Sequence, residues 1–216
     1  MKLLIITAVA GTFLSASGAQ AQTAAQYGIM RETREIASRS LDTLQKLTKA
    51  NSKAMGFESA EEAAKSKLGD GLAVFVIGLD DLRKYTPGSD PNELLVAADR
   101  VIYPVMVNDQ PCSSVTVEKT REKWEATSFG GTNLIKAIID ARSAVVAAGA
   151  PADNLFVAWV PGLNTYMIGF RTRDKLMLAP IMDDASLKFS AGKAQPGEEV
   201  LAALVPVAQQ YNGLPL

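Results

Sequence analysis

The chain contains no histidine and a single cysteine, Cys112, and this composition removes several kinds of catalytic site. Hydrolases with a serine or cysteine triad use an imidazole as general base, and protein zinc sites are built mainly from imidazole and thiolate ligands. We therefore expect no metal centre and no cofactor. Any chemistry must come from carboxylates, from a serine–lysine pair or from the lone thiol.

Two pairs of adjacent aspartates are the candidates for carboxylate chemistry. Asp80 and Asp81 follow one apolar run, and Asp183 and Asp184 follow another. Neighbours in an extended segment point to opposite faces, so neither pair forms a site by itself, and neither has the spacing of a calcium loop. We expect these residues to lie at solvated strand ends or to cap helices. The alternative is a carboxylate-dependent hydrolase, which requires the two pairs to converge in one cleft.

Two further patterns involve charged side chains. The basic cluster RTRDK at 171–175 lies at a predicted hairpin tip, where it is either an anion-contact patch or a solvated turn, and we favour the turn. Ser190 and Lys193 have the S-x-x-K spacing of a serine–lysine dyad. They lie in a linker that contains glycine and proline, and no K-T-G element accompanies them. We interpret this match as chance.

Cys112 lies just after a turn, at the start of a predicted strand. Alternation along that strand puts Cys112 on the polar face with Ser114, Thr116 and Glu118. One interpretation is a small buried hydrophobic residue. The other is a partly exposed thiol that forms an intermolecular disulfide in an oxidising compartment and so links a homodimer. Without a histidine to activate the thiolate, we do not expect a catalytic cysteine.

Four aromatic residues on predicted strands are our candidate binding residues: Trp124, Trp159, Tyr166 and Phe170. Large rings are most often part of the core. The segment 155–160, however, is apolar on both of its alternating faces, so something must cover each side of the sheet. Some of the rings therefore become candidates for lining an apolar groove that takes a peptide or a lipid.

The N-terminus has the three parts of a secretory signal peptide. Lys2 precedes an apolar run over 3–14, and small residues follow up to Ala21. The apolar run is shorter than the ~20 residues that a membrane-spanning helix needs. We predict cleavage after Ala21 and a periplasmic or secreted protein. No later run is long enough to span a membrane.

Hydrophobic periodicity predicts an α+β fold. We predict a signal peptide over 1–21, an amphipathic helix over 22–56 and a single α+β domain over 57–216. The predicted strands are 72–79, 101–107, 113–118, 123–129, 155–160, 166–171 and 176–182, with helices over 133–148 and from 196. Short turns between successive strands favour antiparallel pairing. The expected architecture is an antiparallel sheet of about six to seven strands in two groups, with helices packed on it.

The charge balance argues against one class of ligand, nucleic acid. A net charge of −1 with mixed signs provides no electrostatic surface for nucleic acid. The leading hypothesis is an exported, non-catalytic protein that uses its sheet to bind a peptide, a protein or an apolar small molecule. The alternatives are the carboxylate-dependent hydrolase and a scaffold or assembly subunit whose apolar sheet face pairs with a second copy.

Overall fold

The computed structural model describes residues 16–173 and 175–212, with side chains from residue 29 onward. The helices are α1 (Ala16–Asn51), α2 (Ala60–Ala63), α3 (Leu79–Lys84), α4 (Thr132–Ala147) and α5 (Gly197–Gln210). The strands are β1 (Lys67–Leu68), β2 (Leu72–Val76), β3 (Val96–Val107), β4 (Gln110–Thr120), β5 (Lys123–Phe129), β6 (Phe156–Val160), β7 (Thr165–Thr172), β8 (Lys175–Pro180) and β9 (Gln195–Pro196). Short 3-10 helices cover Lys53–Met55, Pro91–Leu94 and Pro161–Leu163.

The predicted signal peptide, residues 1–21, lies mostly outside the described residues, so cleavage after Ala21 and export remain predictions. Within the described ranges, no helix is both long and apolar enough to cross a membrane.

One mixed sheet joins the nine strands of the described chain. Its order is β5-β4-β3-β2-β6-β7-β8-β9, and β1 pairs with β3 off this path. All pairs are antiparallel except β2 with β6, which run parallel. The α+β class is confirmed. The prediction of a purely antiparallel sheet in two groups is wrong, because the two groups join through this parallel pair. Three strands and α4 lie between β2 and β6 in the chain, which supplies the long crossover that parallel pairing needs.

Most element boundaries follow the predicted pattern. Strand β5 has the predicted bounds, and α4 is displaced from its prediction by one residue at each end. The N-cap of α4 is Gly131, which has a φ of 72°. Thr132 is the first residue of the helix, and its hydroxyl donates to the Cys112 carbonyl at 2.8 Å. Strand β3 begins at Val96, earlier than predicted, and this extension matters for the candidate site.

The helices divide between the two faces of the sheet. Helix α1 packs over β3, β4 and β5, whereas α3 and α5 pack over the β6–β8 half. The strand register shows that these two helical layers lie on the same face of the sheet. Val101, which packs under α1, is paired with Ala73, so both side chains point to one face. Phe75 lies two residues after Ala73, so it points to that face as well, and it packs against the core under α5. We call this side the α1 face. Helix α4 covers the opposite side, the α4 face, where it buries Ile135, Ile138 and other apolar residues.

A buried hydroxyl network fixes α1 to the sheet. The Tyr103 side chain of β3 is fully buried, and its hydroxyl donates to the Met30 carbonyl at 2.9 Å. The same oxygen lies 2.8 Å from Oγ1 of Thr33, which is also fully buried. A buried phenol without these partners would lose its hydrogen bonds to water and gain nothing in return. The network therefore specifies where α1 sits along β3.

We expect Tyr103→Phe to lower the free energy of unfolding by about 1–2 kcal/mol, because it removes the hydroxyl that joins helix to sheet. Burial is the main cause that raises the pKa of Tyr103. The unfolded chain ionises near pH 10, so folding stability falls as the pH rises above 10 towards the folded pKa. Urea titrations at pH 7 and above 10 check this. Tyr103→Phe should show a smaller loss at alkaline pH than the wild type, and an equal loss would contradict the assignment.

Candidate functional site

An apolar groove lies on the α1 face, where the two helical layers leave the sheet uncovered. Its apolar lining comes from Ile29 of α1, Ala73 and Phe75 of β2, Ala97 and Val101 of β3, and Trp124 of β5. We call this space the Trp124 groove. Its volume is about 200 Å³. Drug-sized ligands occupy pockets of roughly 300–1,000 Å³, so this groove matches one or two amino-acid side chains.

The floor of the groove rests on packed aromatic rings. Phe75 and Phe156 meet edge to face, with ring centroids 4.9 Å apart. Phe156 is 2% exposed and belongs to the core under α5. Phe75 is only partly buried and reaches the groove surface. The floor is thus held in place by the core beneath it.

Arg171 of β7 supplies a positive charge at one side of the groove. Its guanidinium carbon lies 5.5 Å from the centroid of the Phe156 ring. Its Nε donates to Oδ1 of Asn92 at 3.0 Å, and Asn92 is held in turn by two hydrogen bonds to Asp90. The terminal nitrogens of Arg171 have no hydrogen-bond partner among the described residues. The guanidinium is thus positioned with part of its donor capacity free.

Asp99 of β3 supplies a negative charge at the groove. Its backbone φ is 47°, in the left-handed region, which costs about 1 kcal/mol for most residues and less for aspartate. Pairing of β3 with β4 begins at Arg100, so the left-handed residue lies where the two strands separate. The Asp99 side chain is exposed and makes no hydrogen bond or ion pair with any residue of the described ranges. The pairing of β2 with β3 shifts register at the same place, so Asp99 lies in a β-bulge that directs its side chain.

A second aromatic site lies on the α4 face. Trp159 and Tyr166 are directly paired across β6 and β7, and their rings stack with centroids 5.5 Å apart and an interplanar angle of 9°. The guanidinium of Arg100 lies 4.9 Å from the centroid of the Trp159 ring. Arg100 also forms an ion pair with Glu118, held by charge and proximity without a well-aligned hydrogen bond from Nε. We call these four residues the Trp159 stack.

The charges of the Trp159 stack are already paired within it. Arg100 and Glu118 are each less than one-third exposed and neutralise each other. Burial raises the pKa of Tyr166, and the nearby Arg100 opposes that rise. The indole N–H of Trp159 is buried and has no hydrogen-bond partner in the part of the chain that the structure describes. The stack is therefore packed and its charges are paired within it. It offers a ligand less unpaired charge than the Trp124 groove does.

The first acidic pair lies at the start of α3. Asp80 and Asp81 occupy the first turn of that helix, where carboxylates interact favourably with the helix dipole. Asp80 also accepts a hydrogen bond from Arg83 at 2.8 Å and is strongly exposed. These are the contacts of residues at the first turn of a surface helix.

The second acidic pair holds the loop after β8. Asp183 accepts from the Ala191 backbone at 2.8 Å, and Asp184 accepts from the backbone and hydroxyl of Ser186 at 2.9 and 2.6 Å. The hydrogen bond from Ser186 is the main cause that lowers the pKa of Asp184. Within the described ranges, no group of three or more acidic or thiol side chains is close enough to hold a metal ion. The structure does not bring the two aspartate pairs together.

The two remaining predicted residues have different environments. Phe170 is 6% exposed and belongs to the core under α4. Cys112 is half-buried, with Sγ 3.5 Å from the Gln110 carbonyl. Burial is the main cause that raises the pKa of the Cys112 thiol, and the nearby Glu62 adds to it. The group is thus a neutral thiol at pH 7, and a disulfide-linked dimer remains a prediction.

Another cluster of charges joins α1 to α4. Arg34 and Arg142 lie 3.9 and 3.4 Å from the two carboxylate oxygens of Asp70, beside a cavity of about 320 Å³. Arg34 also donates to the Gly69 carbonyl at 3.1 Å. Asp70 is mostly exposed, so these ion pairs contribute little to stability. Their geometry ties the turn before β2 to both helices.

The sequence analysis named Trp124 as a candidate binding residue, and Trp124 lines the groove. It did not name Asp99 or Phe75. It favoured a solvated turn for the cluster that contains Arg171. The strand prediction began at Val101, which left Asp99 outside the predicted strand. A strand beginning at Val96 would have placed Ala97, Asp99 and Val101 on one face by alternation. No local signal could have linked β3 to β7, because their proximity depends on the parallel pairing of β2 with β6.

No protein family model, curated protein or solved structure is detectably similar to this chain.

Proposed function

We propose that this protein is a non-catalytic binding protein that takes a small apolar ligand, or an apolar side chain of a peptide, in the Trp124 groove. The observation that carries the proposal is the apolar floor of Ala73 and Phe75, which the helical layers leave partly exposed beside the buried Val101. Apolar surface left open in a concave site of this size gains free energy when a ligand displaces its water.

The groove is the better of the two aromatic sites for this role. Its wall, Trp124, is only partly buried, and the groove opens to solvent beside exposed Ala97 and Asp99. The Trp159 stack already holds its own cation and carboxylate. A ligand at the stack would have to displace these contacts, whereas a ligand in the groove displaces only water.

The chain contains two tryptophans, one at each aromatic site, and this allows a site-resolved test. We expect benzyl alcohol, a neutral apolar probe, to shift the indole N–H signal of Trp124 in proton–nitrogen NMR spectra. The Trp159 signal should not move, because that ring faces the opposite side of the sheet. Trp124→Phe and Trp159→Phe assign the two signals. A shift confined to Trp159, or no shift at either ring, would overturn the proposal.

A groove-filling variant supplies the matched control. Ala97 is exposed and lines the groove, whereas the neighbouring Val96 is 59% exposed and points to the other face. We expect Ala97→Phe to fill the groove and weaken probe binding at least about tenfold, since the apolar volume is then occupied. Val96→Phe should leave binding unchanged. Equal affinity in the wild type and both variants would place the probe elsewhere.

A further inference from the structure

The Trp124 groove has charges of opposite sign that are not paired with each other. Arg171 is held over the Phe156 ring by Asn92, and Asp99 projects from the left-handed turn of β3. Arg100, the third charged residue of the lining, is already paired with Glu118. Asp99 and Arg171 both line the groove, yet no ion pair joins them. Each therefore retains its charge for a partner from solution. A ligand that complements both must carry a carboxylate, an ammonium group and an apolar body.

The strand order sets the length of that ligand. Strands β2 and β6 lie between β3 and β7, so the backbones of Asp99 and Arg171 are three strand spacings apart across the sheet, about 14 Å, and they are also offset by about three residues, roughly 10 Å, along the strands. Arg171 shortens this span because its guanidinium lies over Phe156 of β6. The distance that remains between the Arg171 guanidinium and the Asp99 backbone is about two strand spacings, roughly 10 Å. The Asp99 side chain extends into this space and shortens the distance that a ligand must span. An extended dipeptide spans about 7 Å, whereas a single amino acid spans about half of that.

Resting on the proposed function, we propose that the natural ligand is a short apolar peptide with free ends, of dipeptide size. Its carboxylate pairs with Arg171, its ammonium group pairs with Asp99, and its side chains occupy the groove between Phe75 and Trp124. The volume of about 200 Å³ accommodates one or two such side chains. Charge-assisted hydrogen bonds at both ends give the orientation that an apolar groove alone does not supply.

Leucyl-leucine and its two capped forms test the assignment. The acetylated dipeptide lacks the ammonium group, and the dipeptide amide lacks the carboxylate. We expect the free dipeptide to bind about five- to tenfold more tightly than either capped form, as measured by titration of the Trp124 indole signal. Free leucine should bind more weakly than the dipeptide because it cannot reach both charges.

Two variants locate the charges that are responsible. Asp99→Asn keeps a residue that tolerates left-handed φ, so it changes the charge and preserves the backbone. It should abolish the preference for the free dipeptide over the acetylated form, and Arg171→Gln should abolish the preference over the amide. Asp109→Asn and Arg173→Gln are the controls, because both are exposed residues with positive φ outside the groove lining.

The outcomes separate this inference from the function on which it rests. If benzyl alcohol binds at Trp124 while all three dipeptide forms bind equally, the groove is an apolar site and the peptide assignment is wrong. The peptide assignment is also wrong if the control variants change the preferences as much as the groove variants do. If neither benzyl alcohol nor any dipeptide shifts the Trp124 signal, the proposed function fails as well.

Discussion

Gly56→Ala is expected to lower the free energy of unfolding by about 3 kcal/mol or more. Gly56 has a φ of 88°, a conformation that alanine adopts only with strain. An added Cβ would also overlap the Cys112 carbonyl oxygen and Oγ1 of Thr132, two atoms that are hydrogen-bonded to each other. The carbonyl belongs to the backbone of β4 and cannot rotate away. The turn after α1 would therefore be pushed off both β4 and the start of α4.

Gly88 provides a matched control for Gly56. Its φ of 93° is nearly the same, but an added Cβ would have no atom within 4 Å. Gly88→Ala therefore measures the backbone strain alone, about 1 kcal/mol. Urea denaturation followed by tryptophan fluorescence gives both values. For a chain of this length, Gly56→Ala should lower the melting temperature by roughly 6–12 °C. If the two variants lose the same stability, close packing at Gly56 is unimportant.

Local elements were predictable where the pattern is strong and the cap is local. Strand β5 alternates regularly between two turns, and its observed bounds are the predicted ones. Trp159 and Tyr166 lie on either side of a short connection, so their direct pairing follows from hairpin geometry. Such features depend on residues close in sequence, which is why periodicity and turn chemistry find them.

The rest depends on contacts between distant segments. The parallel pairing of β2 with β6 brings Val74 beside Val157, and neither apolar run indicates which strand will be its neighbour. Strands β1 and β9 have two residues each, too few to show alternation. The sequence does not show that β3 passes through a left-handed Asp99, since aspartate is also typical of turns. The groove and its charges follow from these non-local features, so sequence alone identified one wall, Trp124.

The second prediction with a large effect concerns Gly169, which lies beneath the floor of the groove. Gly169 of β7 is paired directly with Phe156 of β6, and an added Cβ would lie 2.5 Å from Cζ of the Phe156 ring. The ring cannot move freely, because Phe75 contacts its edge and Arg171 lies over it. We expect Gly169→Ala to lower the free energy of unfolding by about 3 kcal/mol, at the upper end of the range for overpacked cores.

A double-mutant cycle with Phe156→Leu distinguishes a steric conflict from a general effect on the strand. Leucine removes the ring that the new methyl group would meet, so Gly169→Ala should cost at least about 1 kcal/mol less in that background. Folded Gly169→Ala protein should also bind benzyl alcohol more weakly, because a displaced Phe156 disturbs both Phe75 and Arg171. If the stability losses of Gly169→Ala and Phe156→Leu are additive and probe binding is unchanged, the position of the Phe156 ring does not affect the groove. A coupling in both measurements would mean that the core packing which stabilises the fold also keeps the binding surface in place.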